Sequence, residues 1–302
     1  TGSGVRVRIT DSQGLALVKA LARSAEKRAD GNRQKGRHSS RSVSGGYNNE
    51  LTAGGANDIF LEALLRAAAT ASATRTQAEL TSIAIASNVI TAGGGSFITQ
   101  GFRFGQIIYL TGCSAAANDN RNCMVTAVTA STMAVLPVNG VSLTDMGADT
   151  TFSIVRRGHI INGAAPTRFH HTIEQYDVDH GRSEQFTGCK VVGLSLNIVP
   201  GQPVTCAWNI MGFNRTLLDT GSAPYYVTPS LTTGLAMVGD EIALRYNGAL
   251  ATRFTSLKLD FNLAAAGVGV LGSLTTPDIF DNDLSIDATA TVIRASHSDL
   301  TL

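Results

Sequence analysis

Residues 190–210 constrain the fold more than any other stretch, because they spell out an amphipathic β-hairpin. Val192, Leu194, Leu196 and Ile198 recur at every second position, with Gly193, Ser195 and Asn197 between them. That period of two puts the apolar set on one face of a strand and the polar set on the other. Pro200-Gly201 then turns the chain: proline presets φ, and glycine accepts the positive φ that tight turns often need. On the return, Val204, Cys206, Trp208 and Ile210 share one face, while Thr205, Ala207 and Asn209 share the other. In a large antiparallel sheet such a hairpin either covers a core or lines a wet channel.

The rest of the chain is in keeping with such a sheet. Of 302 residues, 43% are apolar and only 16% charged, which excludes a disordered chain and suits extensive buried surface. The net charge of +1 creates no global field for nucleic acid or membrane. No apolar run reaches 18 residues, so no transmembrane helix is expected. The opening TGSGVRVRIT lacks the apolar core of a signal peptide, so nothing in it argues for export. Cys113, Cys123, Cys189 and Cys206 show no C-x-x-C spacing. Cys189 and Cys206 read as packing residues; Cys113 and Cys123 flank a loop, and their pairing is left open.

Taken in order, Val5, Val7 and Ile9 alternate as in a strand. Leu15–Leu21 fits helix by propensity, and strand by a likeness given below; strand is the expectation taken. Residues 23–42 carry Arg23, Lys27, Arg28, Arg33, Lys35, Arg37 and Arg41 against Glu26 and Asp30, with no large apolar residue, so they cannot bury a core. They read as a solvated loop, as a nucleic-acid arm, or as an arm pairing with a neighbouring subunit. The lack of an aromatic residue for base stacking counts against the second. Residues 43–51 alternate as a strand, and Asn57 or Asp58 caps the one convincing helix, NDIFLEALLRAAATA, whose apolar stripe reads as packing on its own sheet. Residues 71–80 read as a linker. Short strands at Ser82–Ile85, Ile107–Thr111, Cys123–Thr129, Met133–Leu136 and Thr151–Val155 between turn-rich segments predict a small sandwich or partly open barrel. Residues 214–255 read as irregular around one strand near Met237–Tyr246, with Tyr225 and Tyr226 placed at a subunit junction. Residues 256–263 alternate Leu257, Leu259, Phe261 and Leu263 with Ser256, Lys258, Asp260 and Asn262, and Leu284–Val292 forms the last strand.

No constellation points to chemistry. His170, His171, Asp177, Asp179 and His180 are ligand types, but adjacent histidines on a strand point to opposite faces. A strand followed by a polar linker explains them. Gly93-Gly94-Gly95 is followed by neither Lys-Ser/Thr nor a helix, so it reads as a turn. No G-x-S-x-G elbow is present. Catalytic, cofactor and metal residues are therefore expected to be none, and the protein is expected not to be an enzyme.

Several pieces in one order resemble the tail tube proteins of long, flexible-tailed bacteriophages. They are Thr172-Ile173-Glu174, an acidic linker, then Phe186, Gly188, Val191, Leu194-Ser195-Leu196, the Pro-Gly turn and Met211-Gly212-Phe213. The likeness extends from roughly Glu26 to about Ile293. Phe97, Gly101, Phe102, Gly105 and Ile107 look like the small β module often inserted in such proteins. The resemblance implies a mainly β fold: a tail-tube-type β-sandwich or partial barrel with one flanking α-helix and a small inserted β-barrel-like domain. Residues 1–80 and 161–302 would form the tube domain and 81–160 the insert on the outer surface. It implies hexameric rings in which each subunit gives four strands to a shared barrel. The rings stack around a tape-measure protein, meet tail terminator and distal tail proteins, and later conduct double-stranded DNA. Cofactors and membrane partners are not implied, and the setting is the virion, assembled in the bacterial cytoplasm. The basic arm at 23–42 would reach a neighbour, with Asp177, Asp179, Glu184, Asp278, Asp281 and Asp283 as acidic partners. Two lumen faces are candidates: Ser195, Asn197, Thr205 and Asn209, and Lys258, Asp260 and Asn262. Alternatives are the inner tube of a contractile injection system and a carbohydrate-binding β protein, though the single tryptophan offers no aromatic platform.

Overall fold

The structure is a computed structural model that describes residues 4–11, 13–26, 28–32, 35–163, 165–246, 249–250 and 253–293. The chain forms two compact units. One comprises Thr1–Ala68, Asn162–Ile242 and Arg253–Leu302, and the other Ala69–Ile161 and Ala243–Thr252. Both are mainly β.

In the first unit, β1 (Leu15–Ala22) pairs antiparallel with β2 (Arg37–Glu50), and α1 (Ala56–Leu65) follows. The second unit then takes β3 (Ala73–Arg75), α2 (Gln77–Leu80), β4 (Ile83–Ala86), β5 (Val89–Ala92), β6 (Ile107–Thr111), β7 (Arg121–Val128), β8 (Thr132–Pro137), β9 (Met146–Asp149) and β10 (Ser153–Arg156). The chain returns to the first unit with β11 (His171–Asp177), β12 (Arg182–Ile198), β13 (Thr205–Gly212) and β14 (Asn214–Leu218). After the short pair β15 (Arg245–Tyr246) and β16 (Ala249–Leu250) come β17 (Phe254–Asn262), β18 (Ala266–Gly267), β19 (Ile279–Phe280) and β20 (Ser285–Val292).

The first unit is organised by β12. Its C-terminal half lies between β13 and β17, in a sheet ordered β1-β2-β13-β12-β17-β20, while its N-terminal half pairs with β11 and β14. Gly188 stands at the joint with φ +62, and a Cβ there would overlap the Phe213 ring, so only glycine fits. The apolar face of the sheet carries Val43, Leu194, Trp208 and Ile210, all buried, under the Phe60 and Leu64 side chains of α1. Phe60 meets Trp208 edge to face at 5.3 Å. Burying each of these large side chains contributes about 1.5–3 kcal/mol.

A polar network locks the helix to this sheet. Trp208 Nε1 donates to Asn49 Oδ1 at 3.0 Å, and Asn49 Nδ2 donates to Asn57 Oδ1 at 2.7 Å. Asn57 therefore faces inward rather than capping the helix. Gly55 is the N-cap, and Arg66, in the left-handed region, ends the helix well short of the expected Ala71.

Other expectations are corrected in detail. Val5–Ile9 forms only a bridge from Val5 to Ser230. Residues 37–42 continue β2 instead of belonging to a loop, and Asn214–Leu218, read as loop, is a strand on β12. The linker at 71–80 contains β3 and α2, whose Thr76 and Glu79 form a capping box. Near Met237–Tyr246 lie a single turn of 3-10 helix at Gly239–Glu241 and the two residues of β15.

The second unit has its own sheet, ordered β3-β10-β6-β7-β8-β5-β4-β9. Its core holds Phe97, Phe102, Ile108, Leu110, Phe152 and Ile154, with Phe97 and Phe102 edge to face at 5.6 Å. Neither β5 (VITA) nor β9 (MGAD) was expected from the sequence.

Candidate functional site

Strand register unites the two candidate polar faces. Ser195 lies between Ala207 and Asp260, Asn197 between Thr205 and Lys258, and Gly193 between Asn209 and Asn262. Directly paired residues point the same way. Ser195, Asn197, Thr205, Asn209, Lys258, Asp260 and Asn262 thus share one face, opposite the helix. The face continues through Gly46, Asn48 and Glu50 of β2 and through Ser285, Asp287 and Thr289 of β20. A β-bulge at Val192 keeps this alternation in step with β13.

The face is polar and weakly acidic. Around the 193–198 part of β12, Glu50, Asp260 and Asp287 face one exposed cation, Lys258; Lys190, in register with Met211 on the same side, is buried against Asp281. Lys258 Nζ sits 2.8 Å from Asp260 Oδ2, and the Ser195 hydroxyl donates to the same carboxylate. These two bonds, Lys258 first, hold the Asp260 carboxyl below the usual range. A shallow depression of about 560 Å³ opens where Gly14, Ser44, Gly46, Asn48 and Asn209 meet. Gly46 is obligatory there, since a Cβ would overlap the Trp208 carbonyl oxygen.

The sheet has two outer strands, β1 and β20. Val18 and Leu21 on β1 are exposed, and β20 is exposed on both faces, with Ile286 55% accessible. Edges of this kind offer unpaired backbone groups to another chain.

The basic segment is a β-hairpin. Arg23, Arg28 and Lys35 lie in the loop between β1 and β2, and Arg37 and Arg41 lie on β2 opposite Ala22 and Lys19. Lys27 and Arg33 lie outside the described residues. Of the acidic candidates, Asp177 bonds His180 Nδ1 at 2.7 Å, Glu184 bonds Arg215 at 2.9 Å, and Asp278 bonds Arg168 at 3.2 Å. Asp179 and Asp283 are exposed. Asp281 is turned inward: its Oδ1 lies 2.5 Å from Lys190 Nζ, with the two side chains 7% and 1% exposed. It is paired within its own chain. Lys190 also donates to the Ile279 carbonyl at 3.3 Å.

The histidine–aspartate cluster is not brought together. His171 is at the start of β11, 6.5 Å edge to face from Phe60, while Asp177, Asp179 and His180 lie at its far end. Burial, with the neighbouring His170, pulls the His171 pKa down. Tyr225 and Tyr226 pack within their own chain. Glu174 accepts both of their backbone N–H groups, at 2.7 and 2.9 Å, and the Tyr226 hydroxyl donates to the Thr172 carbonyl. The role of Glu174 was missed, because a lone carboxylate in an alternating strand gives no sign of what it will hold. All four cysteines are free and buried; burial pushes Cys189 and Cys206 up to about 12.

These surfaces define a β protein with one dry face, one wet face and two open edges, as in proteins that complete their sheets by self-association. A family model described as phage tail tube protein matches residues 2–301, and the chain belongs to that family. It is a structural component of the phage virion, and its family implies self-assembly into a tube. No curated protein matches the chain.

Proposed function

We propose that the protein builds the tube of a long, non-contractile phage tail as stacked hexameric rings. The polar sheet face lines the lumen, and each β1 edge meets a β20 edge of the next subunit. Ring closure would satisfy both open edges. The tube encloses the tape-measure protein, joins terminator and distal tail proteins at its ends, and conducts double-stranded DNA without catalysis. The carrying observation is the continuous polar face, whose charges favour neither retention nor grip. Each neutralised phosphate would add affinity, and a face with three carboxylates and one exposed ammonium supplies almost none.

The division of labour follows exposure. In the second unit the exposed large apolar residues among those described are Ile98, Phe104, Val141 and Ile161. The first unit exposes many more, including Leu235 at 90% and Leu271 at 103%. We assign assembly to the first unit and place the second, which extends the expected insert at 81–160 to Ala69–Ile161 with Ala243–Thr252, on the outside. The basic arm, Arg23, Lys27, Arg28, Arg33, Lys35, Arg37 and Arg41, reaches a neighbouring subunit. Asp177, Asp179, Glu184, Asp278 and Asp283 remain as its acidic partners.

Negative-stain microscopy of the purified protein across concentrations tests this reading. Hollow tubes or six-fold rings are expected, and a lasting monomer in the presence of tail tips would overturn it. Removing residues 24–35, the loop alone, should leave a folded subunit that does not elongate tubes. Tubes of normal length from that variant would remove the arm from the account.

A further inference from the structure

Two exposed loops without a single charge stand at opposite ends of the sheet in the first unit. One is residues 264–277, AAAGVGVLGSLTTP. Its base is fixed by the β18–β19 pairing, by the buried Lys190–Asp281 pair, and by Asn282, which bonds the Leu263 and Ala264 carbonyls. Arg41 N donates to Leu274 O, tying the loop to the N-terminal half of β2. Its tip presents Val268, Val270 and Leu271, the last wholly exposed at 103%.

The other loop is residues 227–239, VTPSLTTGLAMVG. It is tied to the far end of β2, where Met237 N donates to Leu51 O at 2.9 Å, and to the start of β13, where Val204 N donates to Met237 O at 2.8 Å. It presents Leu231, Leu235 and Met237, with Leu235 90% exposed. Soluble proteins rarely leave such clusters uncovered unless a partner covers them.

The separation decides which partner. Arg41 and Leu51 are ten residues apart along β2, so the two anchor points lie about 33 Å apart at 3.3 Å per residue. One chain cannot bring its own two loops together. We infer that the 268–274 tip of one copy packs on the 227–239 loop of a second copy, joining molecules head to tail along the strand direction. A contact between two different patches at opposite ends does not saturate in a dimer; it adds copies without limit. Neither loop offers a charge to a phosphate or to the basic arm, so the contact is apolar on both sides. This inference rests on the tube reading and assigns to these loops the contact between successive rings.

A charge exchange tests the pairing in the full chain. Leu271→Asp alone and Leu235→Lys alone should each leave a folded subunit, judged by unchanged Trp208 emission, and cut tube mass at least tenfold. Both substitutions in one chain set Asp against Lys across the contact and should restore most of the tubes. Single variants with tubes of wild-type length, or a combined variant no better than the singles, would overturn the inference while leaving the tube reading intact. Failure of the unsubstituted protein to form rings or tubes would overturn the tube reading itself. In a second test, Leu235→Cys with Leu271→Cys adds the two exposed thiols to a chain whose native cysteines are buried. Mild oxidation of its tubes with diamide should give a ladder of covalent multimers, and tubes without a ladder count against the pairing.

Discussion

Replacing Lys190 by Met measures how firmly the 264–283 segment is held to the sheet. The ammonium is 2.5 Å from Asp281 Oδ1 and 3.3 Å from the Ile279 carbonyl, with 1% of the lysine side chain exposed. Removing it strands a carboxylate that is only 7% exposed. An uncompensated buried charge of this kind costs about 3–5 kcal/mol. In a unit of this size that lowers the unfolding midpoint by roughly 10 °C. Asp281→Asn strands the ammonium and should cost a similar amount. Lys190→Met combined with Asp281→Leu removes both charges and should return to within about 1 kcal/mol of the parent, because an apolar pair avoids both desolvation penalties. The assay is urea unfolding of dilute, unassembled subunit. Trp208 is the only tryptophan and sits in the core of the first unit, so its emission reports this unit alone. A cost below about 1 kcal/mol for Lys190→Met, or a double variant as weak as the two singles summed, would show that the buried ion pair does not hold this segment.

Asn57→Ala should destabilise the same transition by about 1–3 kcal/mol, since it leaves the buried Asn49 amide without its acceptor. His171 has a folded pKa below its ordinary value of 6.5, so the unfolded chain takes up the proton first as pH falls. Its contribution to stability is complete above about pH 6.5 and is lost below it; His171→Gln should flatten that part of the stability profile measured by Trp208 emission. Thr76→Ala breaks the capping box of α2 and should cost about 1 kcal/mol in the second unit. A scan that resolves two transitions should show that loss without a shift in the tryptophan-detected one.

The sequence made the amphipathic strands legible because burial on one face forces alternation. The 193–210 part of the hairpin and the 256–263 strand were read correctly in phase, and their polar faces were both singled out; the expected place of Val192 in the apolar set fails, because the bulge puts Val191 opposite Ile210 in the core instead. That the two faces are one required the register of β12 against β13 and β17, which no single strand contains. The first half of β2 was hidden for the opposite reason: Arg37–Ser42 lies on a hairpin that covers no core, so its side chains carry no apolar alternation. Asn57 has the composition of a cap but is claimed by the buried Trp208–Asn49 network, a tertiary preference that outweighs a local one. Lys190 gave one faint signal, a charge set between Cys189 and Val191 in an otherwise apolar run. Its partner, Asp281, is far along the chain and could not be chosen among the acids of 278–283 without the fold.

Helical reconstruction of assembled tubes by cryo-electron microscopy would show which sheet face lines the lumen and whether the β1 and β20 edges meet. Six-fold rings are expected, with Asn197, Thr205, Asn209 and Lys258 facing the lumen and α1 on the far side of the sheet. A reconstruction that turns α1 inward, or that leaves the β1 and β20 edges unpaired between subunits, would contradict this arrangement.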